Sequence, residues 1–153
     1  MADIQTFIVK PRTSELAICA RWRADTFPVL EASFEQELRS LELFASDQSH
    51  GVALIAKVGD EPIGTCLLAE SEIEPNHDLS PWLVGLFVVP EYRRRGAGAV
   101  LVRAIEDQAR QRGVTRLHLY TSAAEGFYSK LGWATLDRTN WKGFETALMA
   151  REL

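Results

Sequence analysis

The sequence predicts an α+β fold, a central sheet carrying helices on both of its faces. Three observations carry this reading. The elements run β-α-α-β-β-β-α-β-α-β-β, so strand pairs alternate with single helices. Strands at 51–58 and 63–69 flank the turn Gly59-Asp60-Glu61-Pro62 and make an antiparallel hairpin. Residues 97–112 read as one long amphipathic helix. At 153 residues the chain suits one domain, 1–153, with a real core, and no internal repeat or low-complexity segment interrupts it.

The elements follow in order. Residues 4–9 are β-branched and aromatic, a short strand. Thr13 is an N-cap for a first helix whose apolar face is Leu16, Ala17, Ala20 and Ala24; Pro28 ends that helix or lies in the link after it. Ser33-Phe34-Glu35-Gln36 has the form of a capping box, followed by the stripe Phe34, Leu38, Leu41 and Phe44 or Ala45. After the hairpin, residues 70–81 are acidic and polar with two prolines, a loop. Residues 82–89 form the strand before the long helix. That helix buries positions 97, 100, 101, 104, 105 and 109, turns Arg103, Glu106, Asp107 and Arg110 outward, and stops at Gly113. A strand at 115–121, a short helix at about 124–131 ending at Gly132, and a closing hairpin around Trp141-Lys142-Gly143 complete the chain.

The stretch Leu86-Phe87-Val88-Val89-Pro90-Glu91-Tyr92-Arg93-Arg94-Arg95-Gly96-Ala97-Gly98-Ala99 breaks two local rules. Cations are unfavourable at the positive end of a helix dipole, each by roughly 0.3–1 kcal/mol. Glycine in the first turns costs about 1 kcal/mol against alanine. A bound phosphate group explains both. The glycines let an anion approach free backbone N–H groups, and the arginines neutralise it. The dinucleotide fingerprint GxGxxG fails because position 101 is leucine, and the phosphate-loop pattern GxxxxGK[ST] is absent.

Composition narrows the class further. Hydrophobic residues make up 46% and charged residues 25%, ordinary for a globular protein. A net charge of −4 argues against wholesale nucleic-acid binding. No run reaches the roughly 20 apolar residues of a membrane span, and no leader pattern opens the chain, so a cytoplasmic protein is expected. Cys19 and Cys66 sit in apolar stretches and read as reduced core thiols; no CxxC or His/Cys cluster suggests a metal.

Arg93-x-x-Gly96-x-Gly98 after an apolar strand, with Phe127-Tyr128-Ser129-Lys130-Leu131-Gly132-Trp133 downstream, resembles the GNAT superfamily of N-acetyltransferases over nearly the whole chain. The resemblance implies a mixed, mostly antiparallel sheet of about six or seven strands, with strands 82–89 and 115–121 splayed around acetyl-CoA as co-substrate. It implies that backbone groups of Leu86, Phe87 and Val88 hold the acetyl and pantetheine parts. The turn Arg93, Arg94, Arg95, Gly96, Ala97, Gly98 and Ala99 would wrap the pyrophosphate, and the Val88 N–H would face the developing oxyanion. Tyr128 matches the general acid that protonates the departing thiolate; as a residue alone it also reads as a core aromatic. Phe127 and Trp133 read as core.

The chain departs from the family at two points. Tyr120 stands where many members carry a glutamate base, and no asparagine precedes Tyr128. The base is therefore open among Glu70, Glu72, Glu74, His77, Asp78, His118 and ordered water; His118, a candidate proton relay, reads first as a sheet histidine with its partners inside the fold. Trp22, Phe27, Phe34 and Trp82 are candidate walls for the acceptor pocket. With no cysteine placed beside the thioester motif, direct transfer to a primary amine in a ternary complex is expected. The alternatives are a non-catalytic CoA or acyl-CoA sensor or partner domain, and a transferase of longer acyl groups. The acceptor, a small molecule or peptide amine, is open in identity. No metal, nucleic acid or membrane is expected, and the resemblance admits a homodimer through the C-terminal strands.

Overall fold

A computed structural model describes residues 3–27, 31–71 and 78–153. Seven strands form one sheet: β1 (Ile4–Ile8), β2 (Gly51–Val58), β3 (Glu61–Ala69), β4 (Trp82–Val88), β5 (Arg116–Thr121), β6 (Ala134–Trp141) and β7 (Phe144–Glu152). They lie in the order β1-β2-β3-β4-β5-β7-β6. Every neighbouring pair is antiparallel except β4 and β5. The mixed, mostly antiparallel sheet expected from the resemblance is the one observed.

The helices are α1 (Ser14–Thr26), α2 (Phe34–Ser46), α3 (Ala97–Gln111) and α4 (Glu125–Lys130). Helices α1 and α2 pack on one face of the sheet, where Leu16, Cys19, Ala20 and Leu41 meet Ala53, Ile55, Leu67 and Trp82. Helices α3 and α4 cover the other, where Leu101, Ile105 and Tyr128 meet Leu54, Cys66, Leu117 and Leu119. Each fully buried aliphatic side chain adds about 1.5–3 kcal/mol of hydrophobic stabilisation. The two cysteines are buried thiols, on opposite faces of the sheet. Burial pushes the Cys19 thiol up to about 11, so it stays protonated and inert.

Local signals set the helix starts. Thr13 accepts from the Leu16 N–H at 3.2 Å. Ser33 and Gln36 form the reciprocal capping box. At the C-terminus of α3 the Val114 N–H reaches back to the Ala109 carbonyl at 3.0 Å, the six-to-one bond of a Schellman cap. The first hairpin turns on Gly59-Asp60 alone; Glu61 and Pro62 already belong to β3.

Two expectations are corrected here. Glu106 does not face solvent: it is 1% exposed. Its carboxylate accepts from Arg103 Nη1 at 2.9 Å and from the Trp133 indole N–H at 3.2 Å, with Arg151 Nε 3.6 Å away. The buried indole N–H needs an acceptor, and Glu106 supplies it on the helix face toward α4. Phe127 is not core but 37% exposed, because its ring lies over the start of α3.

Candidate active site

The parallel pair β4–β5 is joined at one register position, Trp82 against His118. Beyond it the strands diverge, which opens a V toward the C-terminal end of β4. Gly85 and Leu86 together oppose Cys66, a one-residue bulge between the pairs Leu67–Val84 and Thr65–Phe87. Gly85 has φ +67°, a backbone conformation that favours glycine, and Arg23 Nη1 fills the space where a Cβ would stand, 2.3 Å away. Bulges release backbone groups from the ladder and re-aim them, and this one does so at Gly85 and Leu86, beside the V.

The chain leaves β4 through one turn of 3-10 helix, Pro90–Tyr92, and enters α3 at Gly96, whose φ is +86°. Arg94 also adopts a left-handed conformation, φ +64°. No side chain caps α3 and no acidic residue stands in its first turn. The first intrahelical bond runs from Val100 to the Gly96 carbonyl. The N–H groups of Ala97, Gly98 and Ala99 are therefore free of the helix ladder and lie at its positive end. Ala97 is 1% exposed and packs into the core beneath the turn. Arg93 Nε donates to the Val88 carbonyl at 2.9 Å, which ties the turn to β4. Arg95 lies over the Tyr92 ring, and Arg94 is exposed.

Tyr128, on α4, is 6% exposed and packs edge-on against Phe127 and Trp133. Its carbonyl accepts from the Leu131 and Trp133 N–H groups at 3.0 and 3.1 Å, fixing the end of the helix. Burial holds the phenol well above its ordinary value, and the Cys66 thiol adds to the shift. Cys66 Sγ in turn lies 3.5 Å from the Val84 carbonyl, across from the bulge. The expectation that no cysteine lies near the motif is thus corrected: strand pairing brings Cys66 there from 19 residues before Gly85, fully buried.

On the opposite face a cavity of about 780 Å³ opens between α1, α2 and the sheet and reaches Gly85, Tyr120 and Thr121 at the rim of the V. Of the four aromatic walls expected, Phe27 lines it. Trp22 instead packs on Phe87 at 5.3 Å, Arg21 covers Phe34, and Trp82 is 1% exposed beneath Tyr120. Among the candidate bases, Glu70 lines the cavity and lies 3.1 Å from His50 Nδ1. That hydrogen bond and the carboxylate's charge raise the His50 pKa. His118 is 3% exposed with Nδ1 3.2 Å from the Pro81 carbonyl, inside the sheet rather than in the cavity. Asp78 is exposed and absent from the cavity lining; Glu72, Glu74 and His77 lie outside the described residues. Tyr120 stacks on Trp82 at 5.0 Å.

The sequence reading missed Arg23 and Glu37, which meet on the cavity wall with Nε donating to Oε2 at 3.0 Å. They come from different helices, so no local spacing announced them. No group of three or more His, Cys, Asp or Glu side chains among the described residues is arranged to hold a metal. No helix among them is long and apolar enough to cross a membrane.

A family model described as the acetyltransferase (GNAT) family matches residues 16–133. No curated protein sequence matches the chain. Among solved structures, an aminoglycoside 6′-N-acetyltransferase complexed with coenzyme A superposes with a TM-score of 0.76 at 16% identity, covering 97% of this chain and 96% of that one. The PaiA N-acetyltransferase of Thermoplasma acidophilum, also in complex with coenzyme A, gives 0.72 at 19% identity, covering 99% of each chain. An acetyltransferase from Thermus thermophilus gives 0.69 at 19% identity over the full length of both.

Proposed function

The chain belongs to the acetyltransferase (GNAT) family, and from that premise we propose that it moves an acetyl group from acetyl-CoA to a primary amine by direct transfer in a ternary complex. The observation that carries the reading is the V between β4 and β5. An uncapped α3 N-terminus with Arg94 and Arg95 lies beside it, and a cavity meets its rim from the opposite face. One side suits a pyrophosphate, the other an acceptor.

In this reading the N–H groups of Arg94 to Ala99 wrap the pyrophosphate and Arg93 braces the turn. The backbone at Leu86, Phe87 and Val88, from the bulge onward, aligns the pantetheine arm, and the Val88 N–H faces the thioester oxygen. A neutral amine attacks the thioester carbon, the C–N bond forms, and the carbonyl oxygen takes negative charge that the backbone donor stabilises. The C–S bond then breaks, and the thiolate takes the Tyr128 phenolic proton. The proton lost by the amide nitrogen returns through water to the phenolate, leaving CoA thiol and acetylamide. Glu70, paired with His50 at the cavity mouth, accepts the proton of an acceptor that arrives as ammonium.

Two measurements test this. Initial rates with acetyl-CoA and amine varied together should give intersecting lines; parallel lines would indicate an acyl-enzyme and overturn direct transfer. Tyr128→Phe should lower kcat by about a hundredfold or more, the usual worth of a positioned acid, with acetyl-CoA affinity nearly unchanged. Undiminished turnover would remove Tyr128 from the chemistry.

A further inference from the structure

The hairpin that closes the chain carries two aromatic rings that the core does not use. In β7, Ala147 and Met149 belong to the core under α3, whereas Leu148 packs with the α1 and α2 face. Side chains alternate along a strand, so Thr146 and Phe144 turn to that second face as well. Both line the cavity. The ladder between β7 and β5 begins at Ala147, opposite Thr121. Phe144 therefore stands about 10 Å past the end of that ladder. Trp141 of β6 is its register partner and lines the same cavity. Phe144 is 51% exposed. A single exposed apolar side chain is ordinary, but paired aromatic residues on a cavity wall mark a binding surface.

The rest of the lining restricts what can lie there. Phe27 at the end of α1 and Phe44 of α2 bring two more rings from the helical side. The ionic groups come as two pairs, Arg23 with Glu37 at 3.0 Å and His50 with Glu70 at 3.1 Å. Nη1 of Arg23 is enclosed beside Gly85 and Nε is bonded to Glu37, so this inner pair neutralises itself within the wall. Lys142 lies over the Trp141 ring, 5.5 Å from its centroid. A second ammonium on the acceptor would meet that like charge and lose its water among rings that return no hydrogen bond. A monoamine brings only its body to these rings. Its amine goes to Gly85, Tyr120 and Thr121, where the cavity meets the V.

We propose that the acceptor is a monoamine with an aromatic or branched apolar body, which lies against Trp141 and Phe144 while its amine reaches the parting of β4 and β5. These two side chains then set acceptor specificity. The proposal rests on the acyl-transfer reading for its chemistry. The amine nitrogen is acetylated as written above; the rings bind the acceptor and take no part in bond making.

The test compares ethylamine, isoamylamine, phenethylamine and spermidine. Acetyl transfer is followed by thiol release, and binding to the CoA-loaded protein by calorimetry. Phenethylamine and isoamylamine should exceed ethylamine and spermidine in kcat/KM by at least about tenfold, the worth of a methylene or more in an apolar pocket, with the gain in KM. Phe144→Ala and Trp141→Ala should bring that ratio toward one, and Phe144→Leu should retain it for isoamylamine. Leu136 of β6 is 46% exposed and does not line the cavity, so Leu136→Ala should leave the ratio as it is. Loss of the ratio there too would point to hairpin stability rather than ring contact and overturn the proposal. Ethylamine or spermidine reacting as well as phenethylamine would overturn it while leaving acetyl transfer intact. An unchanged ratio in Phe144→Ala would do the same, and loss of a dimer by that variant in sedimentation would then assign the rings to a second copy of the chain. Apolar amines that neither bind nor react would also overturn it. Apolar amines whose binding is weakened by Phe144→Ala but which release no thiol would uphold the pocket and instead defeat the acyl-transfer reading.

Discussion

Burial decides the protonation state of Tyr128. Removal of the phenolate from water, helped by Cys66 nearby, raises its pKa above the ordinary value of 10.0. An acid must carry its proton to act, and a raised pKa keeps that proton in place across the working range. At saturating amine, kcat should therefore hold up to pH 10.0 once background thioester hydrolysis is subtracted. An alkaline fall with a midpoint below that value, absent in Tyr128→Phe, would show the phenol to be ordinary. Gly96 carries a different constraint. A Cβ there meets no atom within 4 Å, so its φ of +86° rather than crowding demands glycine. Gly96→Val forces a β-branched residue into the left-handed region at a cost of about 1–2 kcal/mol, and the turn should relax away from its anion-binding shape. CoA affinity measured by calorimetry should fall about tenfold; unchanged affinity would contradict the pyrophosphate placement.

The elements matter through how they are fastened. Helix α4 is six residues long, too short to hold itself, and it carries Tyr128. Its first-turn Glu125 binds Arg138 of β6 through two hydrogen bonds of 2.9 and 2.8 Å and accepts from Thr135. The Arg138 hydrogen bond, then that of Thr135, holds the Glu125 carboxyl below its ordinary value. For a carboxylate with a depressed folded pKa, the stabilisation is fully present above the unfolded value of 4.5 and is lost as pH falls through the depressed one. The fastening should thus survive mild acid. Glu125→Gln should speed amide exchange in α4 and lower kcat, with CoA affinity unchanged. Equal exchange in variant and parent would mean that Trp133 packing alone holds the helix. Much at this scale was legible in the sequence. Thr13 and the Ser33–Gln36 box marked helix starts because caps are local chemistry. The glycine turn was legible because it violates local preference. Glu106 was not, since a charge on a helix reads as solvated until the partner Trp133 is known, 27 residues away. Nor was the bulge, which becomes visible only when β3 and β4 are set in register.

At the scale of the whole molecule, the sheet divides labour between its faces. The α3 and α4 face brings the turn at Arg94 to Ala99 and Tyr128 to the V; the α1 and α2 face brings Arg23, Glu37 and Glu70 around the cavity. The first set lies within short motifs and so could be read from the sequence. The lining of the cavity is scattered from residue 23 to residue 146 and exists only once two helices have packed across the strands, which explains why the expected walls Trp22, Phe34 and Trp82 proved to be packing residues. The most direct measurement is thiol release from acetyl-CoA by the purified full chain, with and without primary amines. The account predicts slow release alone and a saturable increase when an amine is added. Tight CoA binding with no amine-dependent release across apolar monoamines, amino acids, polyamines, aminoglycosides and peptides would contradict it and leave a CoA-binding domain without turnover.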